Sequence, residues 1–88
     1  MRRVLDELLR NLGIERRVKE QMAIALWPKA VGERIARVST PVRIRDGILF
    51  VRVTSSTWRN ELVLHKREIL KRVNETVGRA VIEDIRFQ

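Results

Sequence analysis

The spacing of apolar residues changes along the chain, and each change marks an element. Val4, Leu5, Leu8, Leu9 and Leu12 recur at alternating steps of one and three, a helical stripe, with Gly13 placed to end it. A second helix is expected from about Glu15, carrying Val18, Met22, Ala25 and Leu26 on its apolar face. Pro28 has no N–H to donate and its ring clashes with the carbonyl four residues back, so this helix kinks or restarts there. Val31, Ile35 and Ala36 extend a helical face to about Arg37. After Pro41 the period falls to two. Val42 and Ile44 alternate with Arg43 and Arg45, which predicts a strand with one wet face. Asp46-Gly47 predicts a tight hairpin turn, because a type I′ turn needs positive φ at both central residues. Ile48–Val53 is the return strand. Leu49, Val51 and Val53 share one face and Ile48, Phe50 and Arg52 the other, and so much apolar surface on both faces predicts a central strand.

Ser55, Ser56 and Thr57 are candidate N-caps for a third helix. It is expected to run unbroken from about Thr57 to Val77, with Trp58, Leu62, His65, Ile69, Val73 and Val77 at steps of three or four and Gly78 at its end. Val81 to Phe87 reads as a last strand, free to pair with either strand of the hairpin. The order α-α-β-β-α-β predicts an α+β domain: a small three-stranded sheet, hairpin plus C-terminal strand, with helices packed on one face.

With 88 residues the chain is expected to form a single domain, residues 1–88, with little room for an enclosed active site. Cysteine is absent and His65 is the sole histidine, so disulfides, thiolate metal sites and a completed histidine metal site are excluded. No cofactor is expected. A Ser56 or Thr57 nucleophile using His65 as base would have to span about two helical turns, some 12 Å of helix rise. The glycines are scattered at element ends and in the turn rather than gathered into a phosphate loop. The reading is of a protein that is not an enzyme and has no small-molecule substrate. The N-terminal segment carries charges where a signal peptide needs its apolar stretch. No apolar run reaches the roughly 20 residues of a membrane-spanning helix. The protein is expected to be cytoplasmic and not to bind membranes.

Charge then narrows the class of partner. Lys and Arg number 19 against 11 Asp and Glu, a net charge of +8 that favours polyanions, chiefly nucleic acid. Arg43, Arg45 and Arg52 are the first candidates for phosphate contact, since they sit on strands without a local acidic partner. Lys66 and Lys71 on the third helix follow them. Arg2, Arg3, Arg16, Arg17 and Lys19 form a further basic group on the first two helices. The aromatic set is small: Trp27, Trp58, Phe50 and Phe87. Trp27, Phe50 and Phe87 read as core, which leaves nucleic-acid affinity electrostatic and scarcely sequence-specific. Trp58 has two readings, a ring capping the core or an anchor for a partner, with Arg59 and Leu62 beside it in the second.

One stretch follows another in a recognisable order: Leu26-Trp27-Pro28-Lys29-Ala30-Val31-Gly32, Pro41-Val42, Asp46-Gly47-Ile48-Leu49 with Val51 and Val53, Ser55-Ser56-Thr57-Trp58 with Glu61-Leu62, and Ile85-Arg86-Phe87. Together they resemble the DciA family of small bacterial proteins, regarded as operators or loaders of the replicative helicase. The resemblance covers essentially the whole chain. It implies a KH-like fold and contact with a DnaB-type replicative helicase and with single- or double-stranded DNA, mostly through phosphates. Many members carry a disordered C-terminal extension, whereas this chain stops one residue after Phe87. The Gly-x-x-Gly loop with which KH domains clamp single strands is missing, so KH-like shape here does not imply KH-style base reading. Two rivals remain beside a helicase adaptor: a KH-like module binding RNA or single-stranded DNA with no helicase role, and a structural subunit whose charge serves solubility.

Overall fold

A computed structural model describes residues 2–11 and 13–88, with the side chains of 3–8 and 13–88. Leu12 and the side chains of Arg2 and Leu9, named above in the first stripe and the basic group, lie outside the described residues. The elements are α1 (Arg2–Asn11), α2 (Ile14–Ala25), α3 (Trp27–Val31), α4 (Glu33–Ala36), β1 (Ser39–Arg45), β2 (Ile48–Val53), α5 (Ser56–Leu64), α6 (Lys66–Val77) and β3 (Asp84–Phe87). The sheet order is β1-β2-β3, with β1 antiparallel and β3 parallel to the central β2. The expected α+β architecture and element order are therefore present, and the final strand has chosen β2.

The hairpin forms as its turn residues dictate. Asp46 has φ 52° and Gly47 φ 79°, the two positive values of a type I′ turn. The Gly47 carbonyl also accepts the Glu83 N–H at 2.7 Å, which ties the hairpin tip to the entry of β3. β1 starts earlier than the alternation suggests and includes Pro41, tolerable because β1 is an edge strand. The register slips at Val42: Pro41 faces Val51, but Arg43 already faces Phe50. This bulge reverses the parity of the strand. It lets Ser39 and Pro41 on one side of it, and Ile44 on the other, all face the core.

The core gathers the inner sheet residues Leu49, Val51, Val53 and Ile85 against Trp27, Ala30 and Val31 of α3, Leu62 of α5 and Ile69, Val73 and Val77 of α6. Trp27 is wholly buried, and its indole Nε1 donates to Ser39 Oγ at 2.9 Å. That hydroxyl donates in turn to the Ile35 carbonyl at 2.6 Å. Pro28 sits in the first turn of α3, where its missing N–H costs nothing, so the chain restarts there rather than kinking.

Four expectations are corrected. The single third helix is two, because the chain turns at His65 (φ −105°, ψ 13°). The turn lets α5 lie over β2 and β3 while α6 packs against α2 and α3. It also takes His65 off the buried stripe, leaving it exposed and 3.3 Å from Glu61 Oε1. On α2 the buried residue is Ala23 with Met22 and Ile24 beside it, whereas Val18 and Ala25 face outward. Phe50 is not core: it is half-buried on the sheet face that no helix covers. The last strand is short, since Val81 and Ile82 are buried ahead of it in the loop that leads into β3.

Asn74 holds that loop. Its Oδ1 accepts from the N–H groups of Val81 (3.1 Å) and Ile82 (3.0 Å), and its Nδ2 donates to the Ile82 carbonyl (3.0 Å). Asn74→Ala strands these backbone groups beside a buried segment. The expected loss is about 1–3 kcal/mol of stability. A thermal melt should register it as a fall in Tm of about 4–8 °C per kcal/mol for a domain of this size. A melt superimposable on that of the wild type would remove Asn74 as the brace.

Candidate functional site

The uncovered sheet face follows from the register. Side chains directly opposite one another on paired strands project to the same face, so the inward Leu49 and Val51 leave Ile48, Phe50 and Arg52 pointing outward. Three rows cross this face. The central row is Arg43 on β1, Phe50 on β2 and Arg86 on β3. On one side lie Arg45, Ile48 and Asp84, and on the other Thr40 and Arg52. The Arg43 guanidinium rests over the Phe50 ring, 4.7 Å from its centroid.

Arg43, Arg45, Arg52 and Arg86 are all exposed, and none makes an ion pair among the described residues. Several other cations are paired instead. Arg72 pairs with Glu68, Arg79 with Glu15, and Lys71 Nζ lies 3.9 Å from Glu75 Oε1. Lys66 Nζ is 3.1 Å from Asp84 Oδ1, at the β3 edge of the open face. Partial burial alone would raise the Asp84 pKa, but the Lys66 hydrogen bond and charge, a backbone hydrogen bond at Ile85 and the nearby Arg86 together hold it below the usual value. The structure thus brings Arg43, Arg45 and Arg52 onto one surface, sets Lys66 at its margin and places Lys71 elsewhere, on α6. Arg86 completes the surface. The sequence reading missed it, although the alternation Ile85-Arg86-Phe87 already sets it opposite two apolar neighbours.

The second surface surrounds Trp58. Ser55 is the N-cap of α5, its Oγ accepting from the Trp58 N–H at 3.2 Å. This cap starts the helix so that the Trp58 ring is half-buried: one part packs on the core, the rest is offered to solvent. Ser56 and Thr57 follow as exposed residues of the first turn. The Arg34 guanidinium stands 5.6 Å from the Trp58 ring centroid. An open groove of about 380 Å³ lies between α4 and α5, walled by Arg34, Ile35, Thr57, Trp58, Glu61 and His65. Leu62, expected as a contact, is only 1% exposed and forms the floor, so it shapes this groove from within the core. Arg59 is half-buried and its Nε meets no hydrogen-bond partner. Arg34 carried no signal in the sequence, because nothing local brings α4 against the start of α5.

Among the described residues no three His, Cys, Asp or Glu side chains are grouped as metal ligands would be, and no helix is long and apolar enough to cross a membrane.

Residues 1–87 match the family model described as "Dna[CI] antecedent, DciA". The chain is 32% identical over 82 residues to a UPF0232 protein of Rhodococcus jostii, covering 93% of this chain and 44% of that protein. It is 29% identical over 85 residues to a UPF0232 protein of Mycolicibacterium paratuberculosis, covering 97% and 47%. A UPF0232 protein of Mycobacterium tuberculosis is 30% identical over 81 residues, covering 92% and 43%. The chain therefore spans less than half the length of these relatives. With a family model matching almost from end to end, over the same segments that carry the sequence resemblance, the chain belongs to the DciA family, a family associated with the bacterial replicative helicase.

Proposed function

We propose that the chain is a binding adaptor in bacterial DNA replication, joining a DnaB-type replicative helicase to DNA and promoting recruitment or loading of that helicase. The observation that carries the DNA half is the open sheet face, where four exposed arginines gather with no ion pair among the described residues, while Lys66, Lys71, Arg72 and Arg79 are paired. An unpaired surface arginine is free to neutralise a phosphate, and the release of the counterion drives binding. Family membership supports the helicase half, and the Trp58 groove offers it a place: a half-buried tryptophan beside an arginine is the composition of an interface hot spot. The two surfaces use different elements, so helicase and DNA need not compete. A KH-like shape accommodates this reading without the backbone clamp of KH domains, since phosphate contact needs only the arginines.

The test is capture of the organism's replicative helicase by the 88-residue chain, followed by titration at two salt concentrations. Capture that survives moderate salt is expected. Trp58→Ala should weaken it by more than about 1 kcal/mol, roughly fivefold or more, with the fold checked by a thermal melt. Unchanged affinity in a folded variant would make Trp58 a core residue only. Loss of all helicase capture, with retained salt-sensitive binding of single strands, would favour the alternative, a KH-like module for RNA or single-stranded DNA with no helicase role.

A further inference from the structure

We infer that Phe50 is a stacking platform for one unpaired base of a bound single strand, with Arg43 as its displaceable cover. The inference rests on the proposed nucleic-acid role of the open sheet face and deepens it from phosphate contact to selection of single strands.

The carrying observation is the central row of the sheet. Arg43, Phe50 and Arg86 are register partners across the three strands, so the one aromatic ring on this face among the described residues stands between two cations. A ring needed merely to fill the core would point inward with Leu49 and Val51. Phe50 points outward, half-buried, with Ile48 as its apolar neighbour two residues away on the same face. In the unbound protein the Arg43 guanidinium occupies the ring face at 4.7 Å. That contact is weak at an exposed site, and a base stacked on the ring is worth more than the cation it displaces. Nor is the displaced cation lost, because a guanidinium lifted from the ring remains beside the adjoining phosphate and pairs with it bidentately. Arg86 on the far side, with Arg45 and Arg52 in the neighbouring rows, holds the backbone on either side of the stacked nucleotide.

Strand selectivity follows from access. In a duplex both faces of every internal base are already stacked, and a ring seated on a sheet cannot reach them without unpairing the helix. In a single strand the π-face is free, and all bases have one, so the platform tolerates sequence while rejecting duplex.

The experiment measures binding of a short oligothymidylate, its oligouridylate counterpart and a short duplex at two salt concentrations. Wild type, Phe50→Leu and Phe50→Trp are compared. Phe50→Leu should weaken single-strand binding roughly five- to hundredfold and leave both the salt slope and any duplex affinity unmoved, since stacking releases no counterion. Phe50→Trp should retain binding and show emission quenched by the oligonucleotide beyond that of the wild type, a readout that remains even if Phe50→Leu fails to fold. Salt-dependent single-strand binding that ignores Phe50→Leu, or a Phe50→Trp emission that ignores the strand, would overturn the platform and leave the phosphate surface standing. Absence of salt-dependent binding by the wild type would sink the nucleic-acid role itself. Tighter binding of thymidylate supports DNA as the natural strand; tighter binding of uridylate overturns that choice in favour of RNA.

Discussion

Trp27→Ala should remove a large share of the domain's stability. Trp27 is 0% exposed, and a side chain of its size buries roughly 150–250 Å². Replacing a buried tryptophan by alanine costs about 3–5 kcal/mol in transfer and cavity terms. A chain of 88 residues has on the order of 4–13 kcal/mol of stability to lose. The substitution also removes the donor from Ser39, which links α3 to the first residue of β1. Trp27→Phe separates these effects. It keeps most of the ring and loses the indole N–H, while the Ser39 hydroxyl still reaches the Ile35 carbonyl, so the expected cost falls to about 1 kcal/mol. Urea unfolding of both variants checks the ranking. Equal midpoints for wild type and Trp27→Ala would mean that Trp27 is not the centre of the core.

Elements whose cause is local were legible in the sequence. Asp46-Gly47 carries its turn type in two residues, and Leu49, Val51 and Val53 announce a buried face by alternation. Pro28 marks a restart because the missing N–H acts where it stands. The features that escaped are set by distant partners. The bulge at Val42 exists so that Ser39 can meet Trp27 while Ile44 still faces inward, and nothing near Val42 encodes both demands. The turn at His65 has no glycine or proline to announce it. The apolar stripe runs through it without a gap, and the turn answers to α5 lying on the sheet while α6 lies on other helices. The same limit governed the sites. Apolar residues on both faces of β2 predicted a central strand, and Phe50 was read as core. Centrality held, but the helices cover one face alone, and Phe50 therefore moved from expected core to the middle of an open basic surface. Arg43, Arg45 and Arg52 were legible because strand alternation places side chains without reference to the rest of the fold. Arg34 was not, since packing between elements far apart in sequence brings it to Trp58.

The arginine triple variant has the largest effect expected on binding. Replacing Arg43, Arg45 and Arg52 with serine removes three exposed guanidinium groups from one face. None has an acidic partner to be stranded, and none is part of the core. Folding should survive, so a change in affinity would belong to the surface itself. Each phosphate contact adds about 0.7 to the slope of log affinity against log salt for a single strand, so losing three should flatten it by about 2. Over a fourfold rise in salt the wild type should then lose roughly twentyfold more affinity than the variant. Lys71→Ser is the comparator. Its charge is shared with Glu75 and lies on α6, so the slope should scarcely move. Arg86→Ser added to the triple should lower the slope again by a similar step, since Arg86 shares the central row with Arg43 and Phe50. A slope that drops with Lys71→Ser but ignores the triple would transfer the nucleic-acid site from the sheet to α6. A slope that responds to every cation alike would mean general charge attraction with no defined surface. The first pattern, a response graded by position on the open face, is expected because a phosphate backbone releases counterions only where the opposing charge is not already neutralised by the protein.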